Sequence, residues 1–167
     1  MTVKEHFESR DWERITALPM LVGVAVTAAD PSGLWGAIKE SAAMASELRR
    51  AKANPEDNDL IAAVVAAYDS ADERQVVTEI LRAEVRNRRP PEIVEDIVAE
   101  VERLMLLATV KLPEEAPGFG RWLIEIARQV AEAATEGGFL GFGGEQVSAE
   151  ERATLDRLAL AIRVGRA

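Results

Sequence analysis

Carboxylates are the side chains through which this sequence could do chemistry. Glu132 and Glu136 stand four apart, on one face of a helix, and Glu145, Glu150 and Glu151 follow shortly after. Asp30 and Glu40 lie far upstream. Helix packing that brought Asp30 and Glu40 beside Glu136 and Glu151 would assemble oxygen ligands for a hard cation, Mg2+ or Ca2+. Each residue also has a local reading. Asp30 before Pro31 suits a helix N-cap, Glu40 begins a solvated helix face, and Glu151 stands three residues after Ser148, the spacing of a capping box. An EF-hand does not fit, because the stretch before Glu151 lacks aspartates at ligand positions. A ferritin-like di-iron centre needs two Glu-x-x-His pairs, and His6 is the single histidine. With no cysteine in the chain, thiolate nucleophiles, thiolate metal sites and disulfides are excluded. A Ser-His-Asp triad or a His-rich zinc site has almost nothing to build on. Ser41, Ser46 and Thr78 have no base beside them in the sequence pattern. The residues therefore assign no catalytic role and no cofactor, with Mg2+ or Ca2+ as the alternative.

The most distinctive local feature is a loop formed by Gly137, Gly138, Phe139, Leu140, Gly141, Phe142, Gly143 and Gly144. Its glycines permit close backbone approach and positive φ. It is not a nucleotide cradle, since it lacks both a Gly-Lys-Ser/Thr ending and a preceding strand. Two readings remain. The loop presents its phenylalanines to a protein partner or a membrane surface, or it folds them back over the end of a helical bundle. Suppression of exposed apolar patches favours the second. The basic clusters Arg49-Arg50-Ala51-Lys52 and Arg82 to Arg89 fall at expected helix C-termini, where they offset the helix dipole. The net charge is −9, from 29 acidic and 20 basic residues, which opposes binding to nucleic acid and to anionic lipid. Trp35 and Trp122 occupy apolar helix positions and read as core or interface anchors, whereas Trp12, among Asp11, Glu13 and Arg14, reads as partly exposed.

The elements that must position these groups are helices. Ile93, Ile97, Val101 and Met105 recur at steps of four, as do Leu123, Ile126, Val130 and Ala134 with small adjustments. Val76, Val77, Ile80 and Leu81 form a similar stripe, and so do Leu155, Leu158, Ala159 and Ile162. No run alternates as a strand would. Capping-box spacing at Ser70/Glu73 and Ser148/Glu151, with prolines at Asp30-Pro31, Asn54-Pro55 and Pro90-Pro91, divides the chain into about seven helices. They span 11–29, 32–53, 57–68, 71–88, 91–111, 117–136 and 149–164. The expectation is an all-α, single-domain compact bundle over residues 11–167, preceded by a polar N-terminal segment, 1–10. A chain of 167 residues is long enough to bury a core without staples. The apolar run Ile15 to Ala29 contains Pro19 and is shorter than the ~20 residues of a membrane span. It reads as a buried central helix. The acidic N-terminus is unlike a signal peptide, so a cytoplasmic location and no stable membrane span are expected.

A faint internal echo accompanies this pattern. An apolar helix ends at Ala28-Ala29-Asp30, turns, and leads to a helix carrying Glu40; another ends at Ala134-Thr135-Glu136 and leads through the glycine loop to Glu150 and Glu151. The stretches Val22-Gly-Val-Ala-Val-Thr-Ala-Ala-Asp30 and Gly144-Glu-Gln-Val-Ser-Ala-Glu-Glu151, the latter continuing as Arg152-Ala-Thr-Leu-Asp-Arg-Leu158, resemble the TerB-like helical proteins associated with tellurite resistance. The resemblance covers roughly residues 15 to 164. It implies a pseudo-duplicated helical fold and a stress-associated bacterial protein. The family's acidic turns depart here: Asp30 is followed by Pro31, Ser32 and Gly33, and hydrophobes with glycines replace acids between Glu136 and Glu145. The Gly-Gly-Phe-Leu-Gly-Phe-Gly-Gly stretch also resembles one found in other bacterial proteins. The functional expectation is a non-enzymatic interaction or scaffold module that binds a protein partner or a second copy of itself as a homodimer. The alternative is a carboxylate-based domain for a divalent cation.

Overall fold

The computed structural model describes residues 1–29, 48, 50, 58–135 and 147–164. A 3-10 turn, Val3–His6, precedes six helices: α1 Ser9–Ala29, α2 Asp59–Ala67, α3 Ala71–Val85, α4 Pro90–Lys111, α5 Ala116–Thr135 and α6 Ala149–Val164. No strand occurs among the described residues. The protein is all-α, and the described helices lie within a few residues of the sequence expectation. The helix expected at 32–53 falls outside the described residues except for Leu48 and Arg50, both helical.

α1 is the axis of the bundle. Ile15, Leu18, Leu21, Val22, Ala25 and Val26 are buried, and so are Thr16, Ala17, Pro19 and Gly23 between them. A helix apolar on every side can be satisfied only by neighbours all round, and α1 touches each of the other five helices. Pro19 supplies no N–H to the preceding turn. The next carbonyl along, that of Thr16, accepts a bond of 2.7 Å from the Tyr68 hydroxyl, which ties the end of α2 to α1.

The other helices present single stripes to this axis. On α4 the buried residues are Ile93, Val94, Ile97, Val101, Leu104, Met105 and Ala108. α5 buries Leu123, Ile126, Ala127, Val130 and Ala131, and α6 buries Leu158, Ala161 and Ile162. α4, α5 and α6 approach one another closely at Gly120, where an added Cβ would stand 2.6 Å from Ile162 Cγ2 and 3.2 Å from Met105 Cε.

Local chemistry accounts for the helix starts. Pro90 opens α4, and the Arg89 N–H donates to Glu92. At α6 both halves of the capping box form: the Glu151 N–H donates to Ser148 Oγ at 3.1 Å, and the Ser148 N–H donates to Glu151 Oε2 at 2.8 Å. At α3 the Glu73 N–H donates to Ser70 Oγ, while the Glu73 carboxylate accepts from Lys4 Nζ at 2.8 Å. α2 is capped by Asn58, whose Oδ1 accepts from the Ile61 N–H at 2.9 Å.

The N-terminal segment is tied into this bundle through Lys4 and through Phe7. Phe7 is buried, and its ring centroid lies 6.3 Å from that of Trp12. Trp12 is only 3% exposed, which corrects the expectation of partial exposure: the segment before α1 folds over it. Trp122 is buried against Phe119, with centroids 5.9 Å apart.

Candidate functional site

The polar groups that the fold does bring together lie on α1, α3 and α4. Asp11 and Arg14 are three residues apart on α1, and Glu100 and Arg103 are three apart on α4, so each pair shares a helix face. The two faces meet. Arg103 grips Glu100 with both donors, Nε to Oε2 at 2.9 Å and Nη2 to Oε1 at 3.1 Å, and reaches across to Asp11 Oδ1 at 2.9 Å. Arg14 Nε donates to Glu100 Oε1 at 2.7 Å, and its Nη2 stands 3.8 Å from Glu84 Oε2 on α3. Arg88 continues the chain, 3.4 Å from Glu84 Oε1 and paired with Asp96. Beside this network lies an open cleft of about 540 Å³, lined by Arg10, Glu13, Ile80 and the four paired residues of α1 and α4.

The electrostatics decide what this cleft can do. Burial alone would raise the Glu100 carboxyl, but the hydrogen bonds from Arg103 and Arg14, with their charges, outweigh it and hold the group below the usual carboxylate range. Glu100 is therefore ionised at neutral pH and is not a proton donor. Arg103 is held in its charged form by the bonds to Glu100, against the lowering from partial burial, and by the bond to Asp11. Paired carboxylates that divide acid and base duties need one member with a raised pKa; here the arginines drive Glu100 the other way. The arrangement clamps three helices.

Of the carboxylates first considered as ligands, Glu151 is described and Asp30, Glu40 and Glu136 lie outside the described residues, as does the whole Gly137–Gly144 loop. Glu151 is 3% exposed. Its Oε2 serves the capping box, and its Oε1 is buried without a hydrogen-bond partner among the described residues. Among the described residues, no three His, Asp or Glu side chains converge as a metal site.

A different surface feature emerges on the outer faces of α4 and α6, which pack against each other. Leu106 and Val110, one turn apart on α4, are 44% and 77% exposed, and Leu160 and Val164, one turn apart on α6, are 62% and 41% exposed. None of the four belongs to the apolar stripes that spacing marks on these helices, so their outward position agrees with the periodicity. The charged network was hidden, since nothing in the order of residues matches Arg14 to Glu84. Among the described residues, no helix is long and apolar enough to cross a membrane. No protein-family model matches this chain, and neither a curated protein nor a solved structure matches it.

Proposed function

We propose that this chain is a non-enzymatic helical module that binds another protein. The observation that supports it is the pair of outward apolar ridges, Leu106/Val110 and Leu160/Val164, on neighbouring helices of a chain with a net charge of −9. Exposed hydrophobes that recur one turn apart on adjoining helices are the kind of surface that helix-on-helix recognition uses. The resemblance to TerB-like proteins is what suggests a stress-associated role in the bacterial cytoplasm. Phe139 and Phe142 of the glycine loop are a second contact, and a homodimer is the simplest assembly.

The test begins with a partner that co-purifies with the full chain and is then reconstituted from two purified proteins. Replacing Leu106, Val110, Leu160 and Val164 by serine is expected to leave the fold intact, because exposed substitutions change stability by only about 0.5 kcal/mol each. Affinity should fall at least roughly tenfold, about 1.4 kcal/mol. If this variant and the Phe139→Ser/Phe142→Ser variant both bind with undiminished affinity, the reading is wrong. Sedimentation at two concentrations tests the homodimer.

The unpartnered Glu151 Oε1 supports a second reading, a carboxylate site for Mg2+ or Ca2+. At a metal concentration one hundred times the dissociation constant, such a site adds about 2.7 kcal/mol of stability. A melting temperature that responds to neither cation removes it.

A further inference from the structure

Few apolar contacts fasten α3, and charged contacts add to them. Of its fifteen residues, Val77 and Glu84 are buried, with Ile80 and Leu81 half-buried against the core. Among the described elements, α3 rests on α1. Two of its other attachments are ionic: Glu73 to Lys4 at 2.8 Å and Glu84 to Arg14 at 3.8 Å. The Glu84 side chain is only 11% exposed, yet its distances to Arg14 and Arg88 are long for charged partners. Both ends of the helix are turns. Asp69 and Ser70 are exposed at the start; after the helix comes an exposed stretch from Arg86 to Arg89, in which Asn87 takes a left-handed φ of 58°. Elements with few buried apolar contacts and exposed boundaries open locally, as contiguous units, before the molecule unfolds.

We infer that α3 is a latched helix: it detaches from α1 as a unit, short of global unfolding, and the Arg14 bridge between Glu84 of α3 and Glu100 of α4 is its latch. Arg14 is already fixed on Glu100 at 2.7 Å, so the longer Glu84 arm is the one that releases. Ile80 lines the charged cleft from the α3 side. Detachment therefore widens that cleft into a groove along α1, and frees one side of the Arg14 guanidinium to face it. The inference does not depend on the partner-binding reading of α4 and α6.

Native-state hydrogen exchange on the full chain, followed by mass spectrometry, tests it. Peptides within residues 71–85 are expected to exchange at least roughly tenfold faster than those of α4 and α5. Raising salt from about 0.05 M to about 1 M shortens the Debye length to roughly 3 Å, and should speed α3 several-fold more than α5. Arg14→Met leaves Arg103 on Glu100 but strands the Glu84 carboxylate, and should speed α3 selectively. Glu84→Gln keeps the shape of the side chain but removes the charge that Arg14 holds, and should speed α3 as well. Exchange of α3 at the rate of α4 and α5 would overturn the inference. So would Arg14→Met and Glu84→Gln variants in which all three helices shift together.

Discussion

Two residues carry packing information out of proportion to their size. Gly120 lets α5 approach α6 and α4, and a methyl group there would sit 2.6 Å from Ile162 Cγ2. Gly120→Ala gains about 1 kcal/mol in helix propensity, but it forces a branched buried neighbour to move, at a cost of about 1–3 kcal/mol. Overpacking wins, so the urea midpoint should fall with an unchanged slope. Adding Ile162→Leu, which withdraws the Cγ2 methyl, should recover part of the loss. Tyr68 is the other residue, and the chain's single tyrosine. Burial pushes its phenol well above the ordinary range while its hydroxyl serves Thr16. Because the folded value is raised, this contribution to stability is complete below the unfolded value of about 10 and is lost as pH rises toward the folded one. Near-ultraviolet titration at about pH 11 should show no tyrosinate in the folded protein, and should show it on addition of denaturant. Tyrosinate appearing while the helical signal is intact would contradict the placement.

At the scale of elements, the joint between α2 and α5 is built from one side chain and one missing side chain. Asn58 caps α2 through Oδ1, and its Nδ2 donates to the Glu115 carbonyl at 2.8 Å at the start of α5. In return, Glu115 Oε2 accepts from the Asp59 N–H at 2.8 Å. Gly118 makes room, since a Cβ there would stand 2.5 Å from Asn58 Nδ2. Asn58→Ala should cost about 0.5–2 kcal/mol through the lost cap. Gly118→Ala should also destabilise, by displacing the Asn58 amide. The two changes should not add: once the amide is gone the alanine methyl has its space, so the double variant should be more stable than the sum predicts by at least about 0.5 kcal/mol. Chemical denaturation of the four proteins of this cycle measures the coupling. Strict additivity would mean that the joint is not assembled this way. The cap of α2 is the asparagine that α5 holds in place; Asn54-Pro55 lies outside the described residues.

For the whole molecule, the ionic network on α1, α3 and α4 makes stability depend on pH in a definite direction. Glu100 is depressed in the fold, so its contribution is complete above the unfolded value of about 4.3 and is lost as pH falls through the lower folded value. Acid should therefore loosen the attachment of α4 to α1 below about pH 4. Glu100→Gln should be less stable than the parent at neutral pH, and its stability should fall less steeply toward acid. A parent and variant with parallel pH profiles would show that the network is neutral in the balance. Arg103 and Arg14 would then be surface charges that happen to lie near carboxylates, whose contribution is often small.

Composition and spacing were sufficient for the class of fold and for the course of the helices. The four-residue steps of Ile93, Ile97, Val101 and Met105, the proline at position 90 and the Ser148/Glu151 box are local signals, and hydrogen bonding within a helix is local too. The same holds for α1, whose run of apolar residues on every side required a central position. Tertiary structure alone decided which charges meet and which helices cover each apolar stripe. Arg14 reaches Glu84 and Glu100 across 70 and 86 positions of chain, a pairing that no periodicity encodes. Leu106 and Met105 are neighbours in sequence and both apolar, yet one is 44% exposed and the other fully buried. A rotation of about 100° between consecutive helical residues separates them. Met105 continues the stripe of Ile93, Ile97 and Val101 and Leu106 does not, so spacing gave the inward face. The packing of whole helices decided what lies against it, because that depends on residues far apart in the chain.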